Sequence, residues 1–344
     1  MFYSRGLATI GVLGLTWSLA AGALGAPSGP PPRPPRQPGS LQPSVVETLA
    51  RSTSIASYDG WSAWSRYDST HRAFQLIVRD PSGSVSAVGI AEEREPFEVA
   101  LGPLPNGTVG AVYPRCGARS CHLEELAVGA GDARERRLAV PGGGSLISPA
   151  LWKDTVAFLR AKAKGGTVEM FEWTSGSKHL KALALPGNGS ITALALQGTQ
   201  VAYTRVAPSE EFAVSNLWVQ RPGGQPMLID NIGTGGGAAF GTRTYLTPTF
   251  AGPWLYAYRQ YRETGVGDGN PAWVRYSLTS NTTQQAQINF GVNEAEGPGP
   301  LEAVVPLGTG VAWVVQNSRE EQGAQVLLLA SVTWKPIKRP HRPF

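Results

Sequence analysis

Cys116 and Cys121, in the stretch VYPRCGARSCHLEELAV, are the only two cysteines among 344 residues. A redox-active pair ordinarily has two intervening residues, and here there are four. A metal site built from both thiolates and His122 lacks a fourth ligand nearby. The four residues GARS lie between two short apolar runs and suit a hairpin loop, which brings the two α-carbons within disulfide reach. A Cys116–Cys121 disulfide is therefore predicted, in a chain that meets an oxidising compartment. For so small a loop the chain-entropy estimate is roughly 2 kcal/mol, a local clip.

Other reactive side chains form no pattern. The histidines are His71, His122, His179 and His341, and none stands at metal-ligand spacing. No G-x-S-x-G elbow supplies a serine nucleophile. Carboxylates pair at Glu92-Glu93, Glu124-Glu125, Glu210-Glu211 and Glu320-Glu321. Adjacent residues of a strand face opposite ways, and adjacent residues of a loop are solvated. GTGGGAAFG (233–241) lacks the Lys-Ser/Thr ending of a phosphate loop. GVGDGNP (265–271) offers calcium one carboxylate, Asp268, without the spacing of a calcium loop. Neither a cofactor nor a metal is expected. The sequons at Asn106, Asn188 and Asn281 matter only in a glycosylating host, and two of them read as Asn-Gly turns.

The chain ends carry the compartment signals. Arg5 precedes the apolar run LATIGVLGLTWSLAAGALGA, which closes in small residues that suit a signal peptidase after Gly25. An uncleaved anchor is the alternative, since a spanning helix needs about 20 residues. Residues 1–25 are thus read as a signal peptide and 26–43 as a Pro-rich extended linker. The body is 44–334 and the basic tail is 335–344. The protein is expected to be secreted or extracytoplasmic. The net charge of +5 invites a nucleic-acid reading, but seven of the 30 basic residues and none of the 25 acidic ones lie in the tails. The body is left with 23 against 25, which gives no electrostatic footprint for phosphate, so no nucleic-acid partner is expected. The end KPIKRPHRPF could make weak contact with an anionic envelope surface.

The elements that position these residues repeat. Short Val-, Ala-, Leu- and aromatic-rich runs alternate with Gly, Pro, Asn and Asp clusters, an all-β pattern. An alanine followed by a bulky residue recurs every 45–55 residues: Ala63-Trp64, Ala111-Val112, Ala157-Phe158, Ala202-Tyr203, Ala257-Tyr258 and Ala312-Trp313. Each pair precedes a second apolar strand, at 74, 122, 168, 216, 272 and 325, and most units then show a turn and a further strand. A four-stranded unit repeated six times predicts a six-bladed β-propeller. A small residue suits the place where neighbouring sheets approach, and a large one fills the widening wedge. WSAWS (61–65) matches the WSxWS box of cytokine receptors, but it coincides with the repeating strand. Its tryptophans read as packing between blades.

SPALWKDTVAFLR (148–160) resembles the Ser-Pro-x-x-x-x-Asp-x-Val-Ala-Phe blade motif of TolB-type and WD40-like bacterial propellers. Ser148, Pro149, Asp154, Val156, Ala157 and Phe158 match it. The other units keep the Val-Ala-aromatic part, or Thr247-Pro248 in the fifth. The resemblance covers residues 50–334 in architecture and implies an interaction platform.

Two expectations about partners and closure follow. Connections from second to third strand, and from blade to blade, share one face of a propeller, and they lengthen over blades four to six. Long loops on a rigid scaffold are where recognition sits. There they carry Glu211 and Phe212, then Tyr261, Arg262, Glu263 and Asp268, then Arg319 and Glu320. Mixed charge with aromatics suits a protein or glycan partner, bound by a monomer without catalysis. An exported propeller enzyme, hydrolase or lyase on glycans or peptides, is the alternative, with acids from different blades meeting in the central funnel. Finally, blade six shows no turn after its third strand. SVVETLA (44–50) is therefore expected to pair with 325–331 as its outer strand and close the ring.

Overall fold

Residues that alternate between apolar and polar cannot form an amphipathic helix, and in the computed structural model they form strands. The model describes residues 44–51, 53–118, 120–129, 133–161, 168–183, 189–207, 214–231, 241–263, 272–280, 282–288, 301–307, 311–317 and 325–336. The expected leader, the linker and the last eight residues of the tail lie outside them. β1 spans Ser44–Leu49. β2 (Ile55–Tyr58), β3 (Trp61–Asp68), β4 (Ala73–Arg79) and β5 (Val85–Ala87) form an antiparallel sheet in sequence order. So do β6 (Ala100–Pro103), β7 (Val109–Cys116), β8 (Cys121–Ala127) and β9 (Arg136–Arg137). The third such sheet is β10 (Ser145–Trp152), β11 (Thr155–Ala161), β12 (Val168–Thr174) and β13 (Lys181–Ala182).

β14 (Ser190–Gln197), β15 (Gln200–Ala207), β16 (Val214–Gln220) and β17 (Met227–Asn231) make a fourth blade. β18 (Gly241–Ala251), β19 (Trp254–Glu263), β20 (Ala272–Ser277) and β21 (Thr283–Ile288) make a fifth. The protein is an all-β propeller of four-stranded blades, and five of them are built from consecutive strands. The expected sixth is not complete in this sense. Only three strands remain: β22 (Leu301–Pro306), β23 (Val311–Asn317) and β24 (Gln325–Pro336). They merge with the fourth and fifth blades into one 12-stranded sheet. One joint is the parallel bridge Val214↔Arg243; the other is the end of β24, which runs antiparallel to β21 from Val332 to Pro336.

β24 thereby corrects the expected start of the tail, since Lys335 and Pro336 are still strand. The cause is tertiary. β21 would otherwise be a bare edge, and Trp334 near the end of β24 lies 4.8 Å from the Trp273 ring and 5.6 Å from that of Tyr256. The Arg275 guanidinium lies over the Trp334 ring at 4.2 Å. Residues 44–49 pair with 325–329, from Ser44↔Leu329 to Leu49↔Gln325.

Close approach of the innermost strands dictates small residues. The cross-strand pairs Ala56↔Ala63, Gly102↔Gly110, Ala150↔Ala157 and Ala195↔Ala202 occupy one equivalent place, beside the turn between first and second strands. The sequence repeat found this place in three blades and missed it by one residue in two. In the second blade Gly110, not Ala111, is the small residue facing the next sheet. In the fifth the place holds Tyr256, opposite Thr249, and the next sheet meets Tyr256 and Tyr258. The tryptophans of WSAWS face opposite ways, Trp61 towards the second blade and Trp64 towards β1, β22 and β24. Every sheet face is covered: distinct apolar clusters lie between successive blades, and another joins Leu49, Ile55, Trp64 and Ile77 to Val305 and Leu327.

A methyl group added at Gly102 would run into the Leu151 carbonyl of the next blade, whereas one at Gly89 would meet nothing within 4 Å. Gly102→Ala should cost about 1–3 kcal/mol in urea unfolding, as overpacking does. Gly89→Ala should leave the midpoint within error.

Candidate functional site

The first strands of the five complete blades converge on one cavity of about 270 Å³, lined by residues 54–58, 98–101, 148–152, 192–196 and 247–250. Successive residues of a strand point to opposite faces, so each strand offers the channel only part of its sequence. Small and hydroxyl side chains dominate. At one end Tyr58 and Trp152, from the first and third blades, meet edge to face with ring centroids 6.1 Å apart. Burial raises the Tyr58 phenol pKa, and the nearby Asp59 charge adds to it.

At the other end a bulge interrupts the first strand. The register slips between Ile147 and Ala150, between Ile191 and Ala193, and between Leu246 and Thr249. Ser148 (φ 48°) and Thr247 (φ 45°) adopt left-handed backbone there, each just before a buried proline. A β-branched residue such as Thr247 rarely takes this conformation. Hydrogen bonds hold the bulges. Ser148 donates to Glu98 twice, from its backbone N–H (2.9 Å) and from Oγ (2.7 Å). Thr247 Oγ1 donates to the Val304 carbonyl (3.3 Å), and Thr192 Oγ1 lies 2.7 Å from Thr204 Oγ1. Ser54 Oγ donates to the Phe97 carbonyl (3.3 Å). The mouth is thus a hydroxyl-rich rim with one carboxylate, Glu98, exposed to solvent. Among the described lining residues Glu98 and Tyr58 are the ionisable groups. Such a rim can donate and accept hydrogen bonds, whereas two-carboxylate proton chemistry needs a second acid at a distance of about 5–10 Å.

Two of the paired carboxylates lie among the described residues, Glu92-Glu93 in the connector after β5 and Glu124-Glu125 on β8, and in each pair the two acids take different partners. Glu92 bonds His71 Nδ1 (3.0 Å) and Gln75 Nε2 (2.8 Å), while Glu93 accepts from Arg115 (2.7 Å). Glu124 lies 3.1 Å from His122 Nε2, and Glu125 accepts from Arg136 (2.7 Å). Asp68, His71 and Glu92 gather within 4.8 Å of one another. The Glu92 hydrogen bond, then the Glu92 and Asp68 charges, raise the His71 pKa. The Thr70 backbone N–H lowers that of Asp68, and the Gln75 amide lowers that of Glu92. These groups fasten the β3–β4 turn to the connector that follows β5. Arg115 does the same in the second blade. Burial works against its charge, but hydrogen bonds to Glu93 and Glu135 outweigh it and the pKa rises.

Cys116 and Cys121 form the disulfide that their spacing predicts, as directly paired residues of β7 and β8 with α-carbons 3.9 Å apart. Asn106 accepts from the N–H (3.1 Å) and hydroxyl (2.7 Å) of Thr108, the turn expected of its Asn-Gly pair. Of the binding residues expected on long loops, Glu211, Phe212, Asp268, Arg319 and Glu320 lie outside the described residues. Tyr261, Arg262 and Glu263 are not on a loop: β19 extends to Glu263, and they pair with Arg243, Thr242 and Gly241. Sequence reasoning did not pick out Glu98, Tyr58 or Trp152. The Ser-Pro and Thr-Pro pairs were the available signal, because a proline inside a first strand marks a bulge.

No protein-family model matches the chain, and no curated protein matches it. Among solved structures it is similar to the β-propeller domain of the Trilobed protease from Pyrococcus furiosus, at 9% identity and a TM-score of 0.46, over 80% of this chain and 77% of that one. It is also similar to the PQQ-bound aldose sugar dehydrogenase from Streptomyces coelicolor, at 14% identity and a TM-score of 0.41, over 85% and 98% of the two chains. A prolyl endopeptidase matches at 13% identity and a TM-score of 0.45 over 83% of this chain, which spans 50% of the endopeptidase. These likenesses concern fold alone, and the assignment of a propeller rests on the strand pairing.

Replacing Cys116 and Cys121 together by Ser should lower unfolding free energy by roughly 2 kcal/mol. Hydrogen exchange should quicken in the β7–β8 hairpin and stay unchanged in β14 to β17.

Proposed function

We propose that this is an exported, TolB-like β-propeller that binds a protein or glycan partner without transforming it. The observation that carries the reading is the channel mouth, where Ser148, Thr192 and Thr247 stand on first strands and Ser54 and Glu98 just before them. Such a rim matches a ligand rich in hydroxyl or amide groups, and a site held by strands is pre-organised. Glu211, Phe212, Asp268, Arg319 and Glu320, which lie outside the described residues, belong to this reading too. In this reading they widen the contact. The leader-like sequence and the Cys116–Cys121 disulfide support an oxidising compartment.

The rim must be rigid to work, so the reading includes closure. In it β22, β23 and β24 act with β1 as a sixth blade, and the N-terminal strand completes the ring. Support comes from the pairing of β1 with β24 and from Glu47 on β1. Its carboxylate accepts from Trp64 Nε1 (3.0 Å) and from Arg66, through Nη2 (2.9 Å) and Nε, on the first blade. Ser57 Oγ of the first blade also donates to the Pro306 carbonyl at 2.6 Å.

A glycan array followed by calorimetric titration of the best binder tests the reading. Glu98→Ala should weaken binding at least 10-fold while circular dichroism stays unchanged, and the ligand should be recovered intact. Cleavage of the ligand would favour the enzyme alternative. Unchanged affinity in Glu98→Ala would remove the channel mouth from the site.

A further inference from the structure

One face of the fourth blade buries polar groups that find no hydrogen-bond partner among the described residues. Tyr203 and Arg205 are two apart on β15 and so share a face. Trp218 and Asn216 stand directly opposite them on β16, through Tyr203↔Trp218 and Arg205↔Asn216. The four side chains therefore form a two-by-two patch. Its face lies against the third blade, with Tyr203 among Ala157, Leu159 and Met170. Tyr203 is 0%, Arg205 7% and Asn216 9% exposed. Yet Tyr203 Oη, Arg205 Nε, Asn216 Oδ1 and Trp218 Nε1 are all buried without a hydrogen-bond partner. Arg205 has no ion-pair partner among the described residues, although Arg115, with a side chain 12% exposed, has two carboxylates.

A buried guanidinium without a counter-charge is costly, because it loses water and gains no opposite charge. Orphaned buried donors call for a missing water, ion or ligand. Here three donors, Tyr203 Oη–H, Arg205 Nε–H and Trp218 Nε1–H, lie on one face. Burial raises the Tyr203 pKa, with Arg205 pulling the other way, which keeps the phenol a neutral donor. The planar fork of an arginine matches a carboxylate with two parallel hydrogen bonds. The patch lies beside the channel: Arg205 pairs with Ile191, and the next residue, Thr192, is on the channel rim.

We propose that the seam between the third and fourth blades is a binding site for a carboxylate group, held by Arg205 with Trp218 and Tyr203. The carboxylate is the shared chemistry of a peptide C-terminus and of a uronic acid. The site stands beside the channel rim and does not depend on Glu98, so it can succeed where the rim reading fails, and the converse holds.

Thermal unfolding of the full chain in low-salt buffer tests it, with N-acetylglycine and glucuronate as probes and N-acetylglycinamide and glucose as their uncharged counterparts. At about 100 times Kd the Tm should rise by about 5 °C with at least one acid. The neutral compounds should not move it, and the acid that binds tells peptide from glycan. Arg205→Met should abolish the shift and, without probe, melt at or above the parent temperature, because the replacement removes an uncompensated buried charge. Trp218→Phe keeps the ring and removes one donor, and should weaken the probe at least threefold. The proposal is overturned if neither acid raises Tm, if the neutral compounds match the acids, or if either variant keeps the full shift. An Arg205→Met protein that melts lower or fails to fold also overturns it, since Arg205 would then be a structural group.

Discussion

Among the described residues each blade carries apolar side chains on both faces, and a blade alone would leave them in water. Ala63, Phe74 and Leu76 of the first blade need Ala111, Tyr113 and Leu126 of the second, and the same dependence passes from seam to seam. A linear stack would leave Trp64 and Ile77 bare at one end and Val305 and Leu327 bare at the other. These residues instead share a cluster with Leu49 of β1. Burial of a side chain of this size is worth about 1.5–3 kcal/mol. The cluster joins β1, the first blade, β22 and β24, and the Glu47 carboxylate adds charge-assisted hydrogen bonds to Trp64 and Arg66.

The same crowding creates the channel. Where first strands meet, four of the five complete blades place Ala or Gly beside the turn, and the central cavity is lined largely by small side chains and hydroxyls. Bulges at Ser148 and Thr247 then turn the strands at the mouth, and the freed backbone of Ser148 finds the Glu98 carboxylate. The hydroxyl-rich rim is therefore a product of the packing geometry. Arg160 Nε and Trp273 Nε1 are also buried and unpaired among the described residues, but Tyr203, Arg205 and Trp218 set three such donors side by side on one face.

Much of the architecture was legible because its causes are local. Alternation marks the strands, Gly and Asn mark the turns, and the Ala-bulky pair marks second strands in every unit. Register was harder, since it depends on which residue faces the neighbouring sheet. Gly110 and Tyr256 fill places held by Ala elsewhere, so a motif search slid by one residue to Ala111 and Ala257. The extension of β24 to Pro336 is a tertiary effect: KPIKRPHRPF reads as a solvated tail until the bare edge of β21 and the ring of Trp273 are known. The pairing of 44–49 with 325–329 was legible, because a β-branched segment without a blade and a blade without an outer strand invite each other. Glu98 and Arg205 carry no motif, and their roles come from what surrounds them.

Differential scanning calorimetry of the chain begun at Thr53, beside the chain begun at Ala26, tests most directly whether the N-terminal strand locks the propeller. The account predicts one cooperative transition for the longer chain. In the shorter one it should fall by about 10 °C and broaden as the blades nearest the seam melt first. Equal transitions in the two chains would contradict it.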